Sequence, residues 1–144
     1  MKSLVAVLVL CAGIAHAQKD TRSPLEAYRG DSTFGPTICE FKLKTALAQA
    51  EITRGGGTPV GEPADYRGCI QEQKAAIQKS YEAALATVKK PAARQALKEH
   101  YIAVLSQLNG LPPASDEIRI HYMKRQNDAK AKAEDMWTRF EVEN

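Results

Sequence analysis

Few side chains in this sequence could do chemistry, and their spacing decides what kind. Cys39 and Cys69 are the only cysteines outside the apolar N-terminal stretch that holds Cys11. Two cysteines in an exported chain read as one intramolecular disulfide. Closing that loop removes on the order of 3 to 4 kcal/mol of unfolded-state freedom in the chain-entropy account. A redox or nucleophilic role would need a Cys-x-x-Cys pair or a cationic activator, and only Lys42 stands near Cys39.

Glu117 and His121 stand four residues apart, a spacing that would offer two metal ligands from one helix face. A stable site needs at least a third ligand, and no residue nearby supplies it, so no metal and no other cofactor is expected. His100 lies beside Tyr101 on an apolar stripe, where a partly buried, hydrogen-bonded structural histidine is the expectation. The acidic neighbours Asp116-Glu117 and Glu134-Asp135 diverge by about 100 degrees on a helix and do not face each other across a cleft. No catalytic residue is assigned. The segment Gly-Gly-Gly-Thr-Pro-Val-Gly-Glu-Pro over 55–63 is a connection: a phosphate-binding loop would follow a buried strand and end in Lys-Ser/Thr, whereas Gly61 precedes Glu62 and Pro63.

Helices must position these residues. Thr37-Ile38-Cys39-Glu40 fits a capping box, so a helix is predicted to start there, with apolar positions Phe41, Leu43, Leu47, Ala50 and Ile52, and to stop at Arg54-Gly55. A second helix runs from Ala64 or Gly68 to Lys90 on Ile70, Ile77, Tyr81, Leu85 and Val88. Pro91 opens a third, carrying Leu97, Tyr101, Val104 and Leu108 and ending at Asn109-Gly110 in a left-handed cap closed by Leu111. Ser115, with Asp116 and Glu117 in its first turn, starts a fourth along Ile118, Tyr122, Ala129, Ala133, Met136 or Trp137, and Phe140. No strand pattern occurs, and the abundant alanine suits a thin helical core. The fold expected is an all-α bundle of three to four amphipathic helices tied by one disulfide.

The 144 residues carry a net charge of +3, with the signs interspersed, so no nucleic-acid footprint is read. Met1-Lys2, the apolar run Leu4 to Cys11 and Ala15-His16-Ala17 form a signal-peptide pattern. Residues 1–17 are therefore expected to be removed between Ala17 and Gln18, giving a periplasmic or secreted protein without a membrane span. Residues 18–36, with Pro24, Gly30, Gly35 and Pro36, read as an extended or mobile lead-in holding about one helical turn near Leu25 to Tyr28. Residues 37–144 form the single helical domain. Tyr28, Phe34 and Tyr66 fall in or beside loops, where aromatic side chains serve as anchors for a protein partner.

The pattern Cys69-x3-Gln73-x3-Ile77-x3-Tyr81, followed by Leu97-Lys98-Glu99-His100-Tyr101-Ile102, resembles the LprI-like family of small exported lysozyme inhibitors. The resemblance implies a cysteine-tied helical periplasmic protein that inhibits a cell-wall lytic enzyme, and it carries over no functional residue. Composition and motifs together lead to a non-enzymatic binding protein of the inhibitor or immunity type, with the 55–66 loop and Tyr66 as its offered surface. An envelope chaperone or scaffold working through an exposed apolar helix face is the alternative, and a small enzyme using His100, or Glu117 with His121, is the third.

Overall fold

A computed structural model describes residues 21–58 and 64–144. The expected signal peptide and its cleavage site lie outside these residues. Among the described residues there are four helices, α1 (Pro24–Arg54), α2 (Tyr66–Thr87), α3 (Pro91–Asn109) and α4 (Arg119–Glu143), and no strand.

α1 starts fourteen residues earlier than its second capping-box pattern suggests, which corrects the extended reading of residues 24–36. Ser23-Pro24-Leu25-Glu26 has the same form as Thr37 to Glu40 and adds proline at the first helical position. The Ser23 Oγ accepts the Glu26 amide at 3.3 Å, and the Glu26 carboxylate accepts the Ser23 amide at 2.7 Å. Thr37 is instead a mid-helix residue whose hydroxyl donates to the Thr33 carbonyl at 3.0 Å. Gly30, Gly35 and Pro36 do not break α1, because tertiary packing outweighs their poor propensity. A Cβ on Gly35 would lie 2.9 Å from the Gln73 Oε1 and 3.1 Å from the Ile77 Cδ1, so glycine lets α2 approach closely at this point.

The chain folds as two antiparallel helical hairpins, α1 with α2 and α3 with α4, laid against each other. Cys39 and Cys69 are bonded across the first, with Cα atoms 5.6 Å apart. Asp65 caps α2 by accepting the Gly68 amide at 2.8 Å. Val88 is extended ahead of Pro91, and Arg94 reaches back to donate to the carbonyls of Leu85 at 2.7 Å and Val88 at 2.9 Å. The freed end of α2 is thereby satisfied by a side chain from α3.

In the second hairpin one expected cap conformation and one expected boundary differ. α3 ends at Gly110, but this residue is right-handed at φ −83°, not left-handed. What requires glycine there is space, since a Cβ would sit 3.0 Å from an Arg125 guanidinium nitrogen. Leu111 still docks as anticipated and is fully buried. α4 starts at Arg119 and not at Ser115, because Glu117 turns away from the helix end: it accepts Arg125 Nε at 2.8 Å, Arg125 Nη2 at 2.6 Å and the Ala114 amide at 3.2 Å.

The core is thin, as the alanine content implies. Ala84, Ala93, Ala96, Ala103 and Ala133 are buried between Leu43, Ile77, Leu97, Val104 and Leu108. Alanine lets the helix axes approach, and the larger side chains fill one layer at a time.

Candidate functional site

At one end of the bundle the hairpins close over an aromatic cluster. Tyr28 from α1, Tyr81 from α2, His100 from α3 and Trp137 from α4 meet there, with Tyr28 5.4 Å from His100 and His100 5.2 Å from Trp137 between ring centroids. Tyr81 stacks on Tyr101 at 4.2 Å. The Tyr28 hydroxyl and His100 Nδ1 are 2.7 Å apart and both side chains are buried. Burial pushes the Tyr28 phenol well above its ordinary range and holds His100 down at about 4, the Arg29 charge adding to the effect on the histidine. The phenol is therefore the donor and the neutral imidazole the acceptor. Arg29 covers the cluster, 4.7 Å above the Trp137 ring and 2.6 Å from the Glu134 carboxylate. The cluster ties all four helices together at this end.

Tyr28 is thus corrected from an exposed loop anchor to a core residue. It lies inside α1, and the helical face that carries it is the one buried against the other three helices. Phe34 is 65% exposed as expected of a contact residue, yet it stands on a helix and not on a loop. Tyr66 is the first residue of α2 and is half-buried, its hydroxyl accepting Arg67 Nε at 3.2 Å. The fold does not bring the three together.

The opposite end is open. There the second half of α1 and the first half of α4 diverge and leave a cavity of about 600 Å³. Leu47 and Met123 face it from the two helices, both exposed. Glu40, Lys44 and Glu51 line the α1 side, and Lys44 pairs with Glu40 at 2.6 Å. Tyr122 forms the floor. Its ring lies near Arg125, while its hydroxyl oxygen is buried without a hydrogen-bond partner. A buried, unmatched phenol is costly, and its oxygen is closed off from the groove by the side chains around it. Burial, with the negative charge of Glu40 behind it, raises the Tyr122 phenol, so it is a neutral donor.

The Glu117–Arg125 pair braces one wall of this opening. Arg125 also donates to the carbonyls of Gly110 and Pro112, and Gln126 donates to Gly110 at 2.5 Å, so the α3–α4 turn is fixed to the first turns of α4. The hydrogen bonds from Arg125 hold the Glu117 carboxyl at about 2. Glu117 is thereby committed to Arg125, and it lies outside the helix that carries His121. Among the described residues no three side chains of His, Cys, Asp or Glu converge as a metal site would require.

A second surface feature lies on the outer side of α1. Phe34, Ile38, Phe41, Thr45, Ala48 and Ile52 follow one another at intervals of four and three and occupy the face turned away from the core. Phe41 is 71% exposed, and Ile38 and Ile52 are about half exposed. This corrects the assignment of Phe41, Leu47 and Ile52 as inward positions; of the apolar residues expected to face in, Leu43 is the one fully buried. The 4-3 spacing was the available signal for the outer face. Nothing in the sequence marked the unpaired Tyr122 hydroxyl, which depends on where α1 and α4 part.

The chain matches no protein-family model, no curated protein and no solved structure in comparisons with each.

Proposed function

We propose that this chain is a non-enzymatic exported protein that acts by binding another protein, received in the groove between α1 and α4. The observation that carries the reading is a groove of about 600 Å³ with exposed Leu47 and Met123 facing it from its two sides. Apolar Leu47 and Met123 set among Glu40, Lys44, Glu51, Arg119, Gln126 and Asn127 suit an inserted segment with an apolar side chain and polar flanks. The disulfide supports an oxidising compartment. Among the described residues, no helix is long and apolar enough to cross a membrane.

The sharpest version is an inhibitor or immunity-type partner of a cell-wall lytic enzyme. Its support is the resemblance carried by the Cys69 to Tyr81 and Leu97 to Ile102 patterns. The test is titration of purified muramidases and other cell-wall hydrolases with the oxidised protein, following lysis of cell-wall substrate. The expected result is stoichiometric loss of lysis by one enzyme class, relieved by Met123→Asp and weakened about tenfold by Leu47→Ala. Lysis unchanged for every class would overturn the inhibitor version, and inhibition unaffected by either variant would remove the groove from it. A scaffold or chaperone role is the second reading, favoured by the uncovered outer face of α1.

A further inference from the structure

The outer face of α1 fits a partner helix of one particular kind. Phe34, Ile38, Phe41, Thr45, Ala48 and Ile52 alternate at four and three residues through five turns, roughly 27 Å of helix. That is the spacing of the narrow seam by which two helices pack side by side. Its polar member is neutralised locally, since the Thr45 hydroxyl donates to the Phe41 carbonyl at 3.1 Å. The seam lies opposite Cys39 and Leu43, which face the core, and Ala48 is the member that also borders the groove shared with α4.

The charges beside the seam choose the occupant. We infer that the outer face of α1 pairs antiparallel with α1 of a second copy of this chain, Phe41 of each copy lying on Ile52 of the other. In this register Thr45 meets Ala48, and Lys44 of each copy comes beside Glu51 of the other, giving two reciprocal opposite-charge contacts. Among the described residues Glu51 has no ion-pair partner of its own, and Lys44, held by Glu40 at 2.6 Å, has donors to spare. The alternative registers fail on charge. An antiparallel pairing of Phe34 with Ile52 sets Lys44 against Lys44 and Lys42 against Lys42, and a parallel pairing places Lys44 beside Gln49 and leaves Glu51 unmatched. In this register Phe41, Thr45, Ala48 and Ile52 meet their counterparts, while Phe34 and Ile38 lie past the overlap because α1 ends at Arg54, so the interface is small and the pair is weak and depends on concentration. Lys44, Ala48 and Glu51 also line the groove, so the dimer contact and a groove partner compete for that side of α1.

Sedimentation of the purified oxidised protein alone, from micromolar to millimolar concentration, tests this independently of any groove partner. The protein is expected to pass from monomer to dimer mass across that range. Phe41→Asp is expected to abolish the dimer. Lys44→Glu or Glu51→Lys singly weakens it about tenfold, and the double reversal Lys44→Glu/Glu51→Lys restores it to within about threefold. These positions are at the surface, and unchanged helical circular dichroism confirms the fold of each variant. A monomer at every concentration overturns the inference, as does a dimer that Phe41→Asp leaves intact. Charge variants that all behave like the parent overturn the register.

Discussion

His100 is the residue whose environment has the clearest solution consequence. Its imidazole accepts from Tyr28 inside the aromatic cluster and is held at about 4, against an ordinary value of 6.5, chiefly by burial. The unfolded chain therefore takes up a proton that the folded chain refuses between these two values. The resulting stability is complete above pH 6.5 and is lost as pH falls toward 4, a total on the order of 3 kcal/mol. Urea denaturation at a series of pH values should show this decline, and His100→Gln, which cannot titrate, should flatten it. A second decline follows at lower pH. Glu117, held at about 2 by Arg125 against an ordinary 4.5, stabilises the fold above pH 4.5 and ceases to do so as pH falls through 2. A parent protein with level stability from pH 7 to 4 would contradict the neutral, buried state of His100.

At the scale of the element, the joint between α1 and α2 rests on two close approaches. Replacing Gly35 by alanine would gain about 1 kcal/mol of helix propensity in an isolated helix. Here the added methyl meets the Gln73 side chain and the fully buried Ile77, and overpacking of this kind costs about 1 to 3 kcal/mol. A net loss of about 1 kcal/mol is expected for Gly35→Ala, read as a lower urea midpoint at unchanged slope. The second approach is the disulfide, which spans a sequence separation of 30. Cys39→Ser/Cys69→Ser should lower stability by on the order of 3 to 4 kcal/mol. Periodicity made α2 and α3 legible nearly to their ends, because capping residues, proline and the apolar stripe agree there. α1 was legible only in its second half. Gly30, Gly35 and Pro36 signal a break locally, and what overrides them is contact with Gln73 and Ile77 from a helix more than thirty residues away. The same limit applies to the site. Phe34 was legible as an exposed aromatic, whereas Tyr28 was placed outside the core because residues near glycine and proline read as loop. Tyr122 carried no local sign that its hydroxyl would be left unpaired.

Across the whole molecule the two hairpins meet unequally. They are locked at one end by Tyr28, His100, Trp137 and the Arg29–Glu134 pair, and they part at the other around Leu47, Tyr122 and Met123. A thin alanine-rich core cannot fill both ends, and the open one supplies the groove on which the proposed function depends. Rigidity at the closed end, with the disulfide in the first hairpin, keeps the walls of the groove in place before a partner arrives and limits the entropy lost on binding. The most direct measurement of this account is capture from envelope and secreted extracts on the oxidised protein, with Met123→Asp and Cys39→Ser/Cys69→Ser as parallel baits. The account predicts one stoichiometric protein partner, retained by the parent and lost from both variants. A partner retained equally by the Met123→Asp bait, or no partner on any bait, would contradict it.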